Sequence, residues 1–186
     1  MADVLFICTG NLCRSPSAEW FLAQRLAEFG PAGVTVESAG TSGTTLGVPP
    51  ELAQEGAAFG MDLSAHVPRR MDASIITRAD MVIGMTREHV RQVVLADPTS
   101  FTKSFTLREI VQRGKVNGHR RRHELLPEWL AHIGAGRRHV DLIGDSRTED
   151  IPDPMGGNAE GFRRMLTELA TLTRMLHSLT WPSTQG

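Results

Sequence analysis

The chain contains no tyrosine, and only two of its 186 residues are cysteine. Two cysteines build no disulfide scaffold, and Cys8 and Cys13, five positions apart, lack the further partners of a zinc site. No metal or cofactor is implied, and a reducing, cytoplasmic setting is expected. No apolar run approaches the roughly 20 residues that span a bilayer. The opening Met1-Ala2-Asp3 lacks the basic flank of a secretory signal. Charge bias is missing as well. Twenty basic residues face 21 acidic ones, leaving no global field to favour nucleic acid or an anionic membrane. The apolar fraction, 40%, suffices for one buried core, so a single domain over 1–186 and a monomer are expected.

What is present alternates between strand and helix. Val4-Leu5-Phe6-Ile7 reads as a short buried strand, followed by a helix over 16–28 with Ser15 as N-cap and Pro16 at its first position. Val34–Ser38 reads as a second strand, and 51–59 as a short helix ended by Gly60. Met81–Met85 is a third buried strand before a helix over 86–95, and 104–106 a fourth before a helix over 107–113. The final helix, 159–179, aligns Phe162, Met165, Leu166, Leu169, Leu172 and Leu176 on one face. Between 114 and 149 the pattern is less regular: a loop at 114–118, a basic run at 119–123 expected to be solvated, one short helix over 124–133, and a polar stretch. This alternation predicts a three-layer α/β domain with a central parallel four-stranded sheet and helices on both faces. Ligands in such sheets sit beyond the carboxyl ends of the strands, where Cys8 falls.

The segment Cys8-Thr9-Gly10-Asn11-Leu12-Cys13-Arg14-Ser15 joins the first strand to the first helix. Backbone N–H groups of such a loop converge on one point, and the helix N-terminus adds partial positive charge there. A thiol at that point is a suitable nucleophile, and an arginine six residues later can clamp an anion through two parallel hydrogen bonds. Gly10 permits close approach of the backbone, and Asn11 tolerates the left-handed region. A nucleotide P-loop is the obvious competitor, but no Gly-Lys-Ser/Thr ends this loop, and lysine is absent from the first hundred residues. The pattern points to phosphoryl transfer onto Cys8.

Cys8–Ser15, extended through Pro16-Ser17-Ala18-Glu19, resembles the active-site signature of the low-molecular-weight protein tyrosine phosphatases. Ser38-Ala39-Gly40-Thr41-Ser42-Gly43, Gly60–His66, Ala79–Met85 and Asp150-Ile151-Pro152-Asp153-Pro154 match in order, with 114–149 longer than the family's usual connection. The resemblance implies a phosphotyrosine phosphatase I-like, flavodoxin-like fold and a phosphocysteine intermediate on Cys8. It implies phosphate binding by residues 9–15, Arg14 included, with Ser15 donating to the Cys8 sulfur and Asp153 as general acid. It also implies that Asn11, Ser38 and His66 hold the loop open by hydrogen bonds, and that Cys13 protects an oxidised Cys8 as a disulfide. Without the cradle, Pro152-Asp153-Pro154 would read as a rigid turn, and His66 as a surface histidine like the chain's other histidines.

The leaving-group end departs from the family. Met155 stands after Asp-Pro where tyrosine is usual, and Thr44-Thr45-Leu46 stands where the other aromatic wall is expected. Methionine still packs against an aromatic face through sulfur. Phosphotyrosine in a phosphoprotein partner therefore ranks first. Protein-arginine phosphatases share the cradle but place threonine where Leu12 stands. Thioredoxin-coupled arsenate reductases need two cysteines beyond Cys13, and none exists, which leaves only a reductase using a small thiol. A phosphate- or phosphopeptide-binding module without catalysis would be expected to lack the nucleophile, the arginine or the acid, and all three are here.

Overall fold

The computed structural model describes residues 2–181; Met1 and the last five residues of the expected 1–186 domain lie outside the described residues. Four strands, β1 (Ala2–Cys8), β2 (Val34–Gly40), β3 (Met81–Gly84) and β4 (Ser104–Thr106), form one parallel sheet in the order β2-β1-β3-β4. Seven helices surround it: α1 (Arg14–Phe29), α2 (Pro50–Ala57), α3 (Ala73–Arg78), α4 (Arg87–Ala96), α5 (Leu107–Asn117), α6 (Leu126–Ile133) and α7 (Ala159–Thr180).

The pleat of β1 separates two cores. Val4, Phe6 and Cys8 face the larger one, which holds apolar side chains of α1, α5, α6 and α7. Leu5 and Ile7 face the smaller one with Ile76, Ala79, Val82 and Val93. Because both faces are covered, β1 is a continuous apolar run rather than an alternating one. Strand order reverses at β1, so its carboxyl end opens beside β3, and that is where Cys8 sits.

The irregular stretch is more ordered than the sequence pattern predicts. Helix α5 continues through Gly114 to Asn117, with Gly114 packed under Trp129 and Leu179, where an added Cβ would lie 2.9 Å from Leu179 Cδ1. The basic run is not simply solvated. The Arg120 backbone N–H donates to Leu179 O and its guanidinium to Thr180 O, while the His119 ring meets Ser178 O. These contacts satisfy the last carbonyls of α7, and the cation complements the helix dipole there. Helix α3 had no signal in the apolar pattern; its start is fixed by Asp72, whose carboxylate accepts from Ile75 N–H. Among the described residues, no helix is long and apolar enough to cross a membrane.

Gly40 ends β2 against the loop that follows Cys8. A Cβ there would lie 2.6 Å from Thr9 O and 3.0 Å from Asn11 N, both backbone atoms. Gly40→Ala must therefore displace the loop, and a loss of inorganic-phosphate affinity of at least about tenfold is expected in an NMR titration, exceeding its effect on the thermal midpoint.

Candidate active site

The loop from Thr9 to Cys13 turns through Asn11, at φ 54° the only non-glycine residue with positive φ among the described residues. Four hydrogen bonds hold it there. Asn11 Nδ2 donates to Ser38 Oγ (2.7 Å) and Ser15 Oγ (3.0 Å), Oδ1 accepts from Arg69 N–H (3.0 Å), and the Asn11 carbonyl meets His66 Nε2 (2.7 Å). The structure thus brings Ser15, Ser38 and His66 together on Asn11 and adds Arg69 to them.

Ser15 Oγ lies 3.0 Å from Cys8 Sγ. Since Asn11 donates to the same oxygen, the single hydroxyl proton of Ser15 is left to the sulfur or to the Ala39 carbonyl, which lies farther away at 3.4 Å. Ser15 is consequently not the N-cap of α1. The helix begins at Arg14, Cys13 occupies the cap position without a side-chain bond, and Pro16 becomes the third helical residue. Its missing N–H costs nothing there, because the first four amides of a helix have no internal partner. The amides at this end are left to an anion.

Arg14 is buried, and its guanidinium reaches three groups at the pocket. Nη2 donates to Asp153 Oδ2 (2.5 Å) and Thr9 Oγ1 (3.3 Å), and Nη1 to Ile151 O (3.3 Å). Asp153 stands between Pro152 and Pro154, and its Oδ1 accepts from Met155 N–H (3.1 Å). Asp150, the other aspartate of this segment, is committed elsewhere: it accepts from Arg87 N–H at the start of α4 and from Ser146 N–H, each at 2.7 Å. Only Asp153 meets Arg14.

Leu12 is buried, and its Cγ and Cδ1 would lie 3.5 Å from a side-chain carbon placed on Gly10, with the Thr44 methyl at 4.0 Å. Across the loop, the Cys13 thiol donates to the Met155 sulfur at 3.4 Å, and Met155 is 45% exposed. Burial, and then the neighbouring Cys8 and Asp153, push the Cys13 thiol up to about 12. Both cysteines are free.

The structure adds a histidine that the sequence gave no reason to single out. His89, in the first turn of α4, is 3% exposed rather than solvated, with its Nε2 3.0 Å from Thr9 Oγ1 and its Nδ1 3.0 Å from Thr86 Oγ1. Burial, and secondarily the charge of Arg14, lower its pKa from 6.5 to about 3. Its one sequence cue is its place just after β3, whose end adjoins that of β1. His177, in the last turn of α7, is also buried, and burial lowers its pKa too.

The family model for low molecular weight phosphotyrosine protein phosphatase matches residues 3–121. The chain belongs to that family. A probable low molecular weight protein-tyrosine-phosphatase of Ralstonia solanacearum is 32% identical over 135 residues, 72% of this chain and 89% of that protein. A protein-arginine-phosphatase of Bacillus subtilis is 29% identical over 176 residues, 94% of this chain and 93% of that one. Among solved structures, the low molecular weight protein tyrosine phosphatase of T. tengcongensis superposes with a TM-score of 0.70 at 25% identity, covering 95% of this chain and 97% of that chain. The YwlE arginine phosphatase of Geobacillus stearothermophilus gives 0.68 at 28% identity, covering 95% and 90%. The family's parallel sheet and helices are those found here. The match of its model ends at 121, so most of the extended connection lies outside it.

The native state keeps His89 neutral, whereas the unfolded chain takes up a proton below its ordinary pKa. Stability from this residue is therefore complete above pH 6.5 and lost as pH falls toward about 3. Urea titrations across that window are expected to show a decline of at most about 1.4 kcal/mol per pH unit from His89. His177 adds in the same direction, and His89→Gln flattens the decline.

Proposed function

We propose that the chain hydrolyses phosphotyrosine in proteins through a phosphocysteine on Cys8. The observation that carries this reading is the convergence of Cys8, Arg14 and Asp153 on one cradle, with Arg14 bound to Asp153. An incoming phosphate dianion takes the guanidinium, and the released Asp153 carboxylate takes up a proton from solvent to become the acid. Cys8 sulfur then attacks phosphorus, the bond to the leaving oxygen breaks, and Asp153 gives that oxygen its proton. Amides of residues 9–14 and the Arg14 fork hold the equatorial oxygens, where charge is concentrated. In the second half, Asp153 takes a proton from water, the resulting hydroxide attacks phosphorus, and the S–P bond breaks to return thiolate and release phosphate. Ser15 stabilises that departing sulfur. Leu12, the Thr44 methyl and the Met155 thioether give the leaving group an apolar surround, which fits an aryl ring better than a charged guanidinium.

Phosphoarginine is the second reading. It is favoured by the whole-length match to a protein-arginine-phosphatase and by the absence of both aromatic walls. A panel of aryl phosphate, phosphotyrosine peptide, phosphoarginine peptide and arsenate with a small thiol separates the readings. Phosphate release is expected first from phosphotyrosine, is abolished in Cys8→Ser, and falls by about 10²–10⁴ in Asp153→Asn. No release from any ester by the folded protein would overturn the reading, and faster turnover of phosphoarginine would reassign the substrate.

Free Cys8 and Cys13 fit a reducing, cytoplasmic setting and a thiol-based safeguard. Peroxide oxidises Cys8 thiolate to a sulfenic acid with loss of hydroxide, and Cys13 thiolate then displaces a second hydroxide to form the disulfide. Because burial keeps Cys13 protonated, this second step is slow near neutrality. Sulfenic acid trapped by a dimedone probe is expected to decay faster as pH rises, and Cys13→Ser is expected to lose recovery by dithiothreitol after prolonged peroxide.

A further inference from the structure

The buried imidazole of His89 has both ring nitrogens engaged, yet it belongs to none of the groups that touch an anion in the cradle. We propose that His89 is a positioning residue for phosphate binding: by fixing Thr9 Oγ1 it holds the Arg14 guanidinium over the cradle. The proposal deepens the functional reading, resting on the identification of residues 9–14 as the phosphate site.

The chain of contacts is continuous. Thr86 caps α4, accepting from His89 N–H (3.3 Å), and lies 3.0 Å from Nδ1 of the same residue. Nε2 lies 3.0 Å from Thr9 Oγ1, which in turn accepts from Arg14 Nη2 at 3.3 Å. Gly84 lets the start of α4 pack closely on β3: a Cβ there would lie 2.8 Å from Val90 Cγ2, 3.0 Å from Thr86 O and 3.1 Å from His89 Cβ. The other two partners of Arg14, Ile151 and Asp153, belong to the acid loop. Thr9 is therefore the contact that ties Arg14 to the cradle itself, and it stays when phosphate displaces Asp153.

Counting protons shows what a neutral imidazole offers. With the proton on Nε2, Thr9 oxygen accepts from both His89 and Arg14, and its own hydroxyl proton is free to turn toward a phosphate oxygen. With the proton on Nδ1, Thr9 spends that proton on His89 and cannot donate to the ligand. An anion favours the first arrangement, in which Thr86 donates to Nδ1. An imidazolium would instead set a second cation beside Arg14, and burial together with the charge of Arg14 opposes that state.

Asparagine and glutamine separate the two ring nitrogens, since the asparagine amide reaches the Nδ1 position and the glutamine amide reaches Nε2. Affinity for inorganic phosphate is read by NMR titration of the full chain, alongside KM, kcat and thermal midpoints. His89→Asn and Thr9→Val are each expected to weaken phosphate binding by about tenfold, as for loss of one hydrogen bond. His89→Gln stays within about threefold of wild type, and the double variant Thr9→Val/His89→Asn is no weaker than the poorer single variant. Unchanged phosphate affinity in folded His89→Asn, equal behaviour of the two amides, or multiplying effects in the double variant overturns the proposal. Should His89→Asn fail to fold, unchanged affinity in Thr9→Val overturns it alone. A wild-type chain that binds phosphate but hydrolyses no ester would defeat the functional reading while leaving this binding test intact.

Discussion

The backbone of Asn11 carries the site. A non-glycine residue in the left-handed region costs about 1–2 kcal/mol, and it persists only where its surroundings hold it. Here they come from separate parts of the chain: Ser15 in α1, Ser38 in β2, and the His66–Arg69 segment. None of these bonds touches a ligand directly. Together they reverse the chain at Asn11, and the Ser15 hydroxyl is left 3.0 Å from the Cys8 sulfur. Removing any one leaves a buried polar group of Asn11 unpaired, at roughly 1–3 kcal/mol, which is comparable to the strain being held. The cradle is thus a consequence of tertiary structure and cannot form in the isolated strand–loop–helix unit.

The acid loop depends on a different set of restraints, and these explain what the extended connection does. Ile151 N–H donates to Met85 O, which fixes the loop to the end of β3. Just before it, Asp150 binds amides on two sides, Arg87 pairs with Glu149 through two nitrogens, and Arg108 donates to the Asp150 carbonyl while pairing with Glu168. Further back, Arg137 is buried beneath Phe101 and Phe105, donating to the carbonyls of Phe101 and Ser104 and pairing with Glu109. The connection is thereby fastened to the sheet before the chain reaches Asp153. Arginine suits these places because its planar fork satisfies several acceptors at once, and lysine could not.

Much of this was legible in the sequence, for physical reasons that differ by region. The strands were readable because both faces of the sheet are covered, which makes Val4–Ile7 and Met81–Met85 uninterrupted apolar runs. Cys8 and Arg14 stand out in the sequence because a strand, a short loop and a helix start place them six residues apart, whereas Asp153 is singled out only by the resemblance of Asp150–Pro154 to the family's motif. The start of α1 was misread because Ser15 satisfies the local rule for a cap while a tertiary partner claims its hydroxyl. His89 was invisible for a related reason. Its partners are Thr86, three residues away, and Thr9, 80 residues away, so no local pattern marks it. Arg120 went unrecognised as a cap because the helix it closes ends nearly 60 residues later.

The leaving-group end shows how a family site changes without losing its phosphate chemistry. A tyrosine after Asp-Pro would present a rigid ring; Met155 presents a flexible thioether, partly exposed and held by the Cys13 thiol. That contact requires Cys13 to keep its proton, and burial ensures that it does. In the proposed redox step, the same proton that lets Cys13 hold Met155 slows its attack on an oxidised Cys8. The two proposed roles are therefore coupled through one sulfur: if Cys13 turns to Cys8, Met155 loses its donor. The proposed phosphate site, built on Asn11, Arg14 and the helix amides, uses none of these atoms. Specificity for the leaving group is thus free to drift at Met155 and Thr44 while the cradle stays fixed.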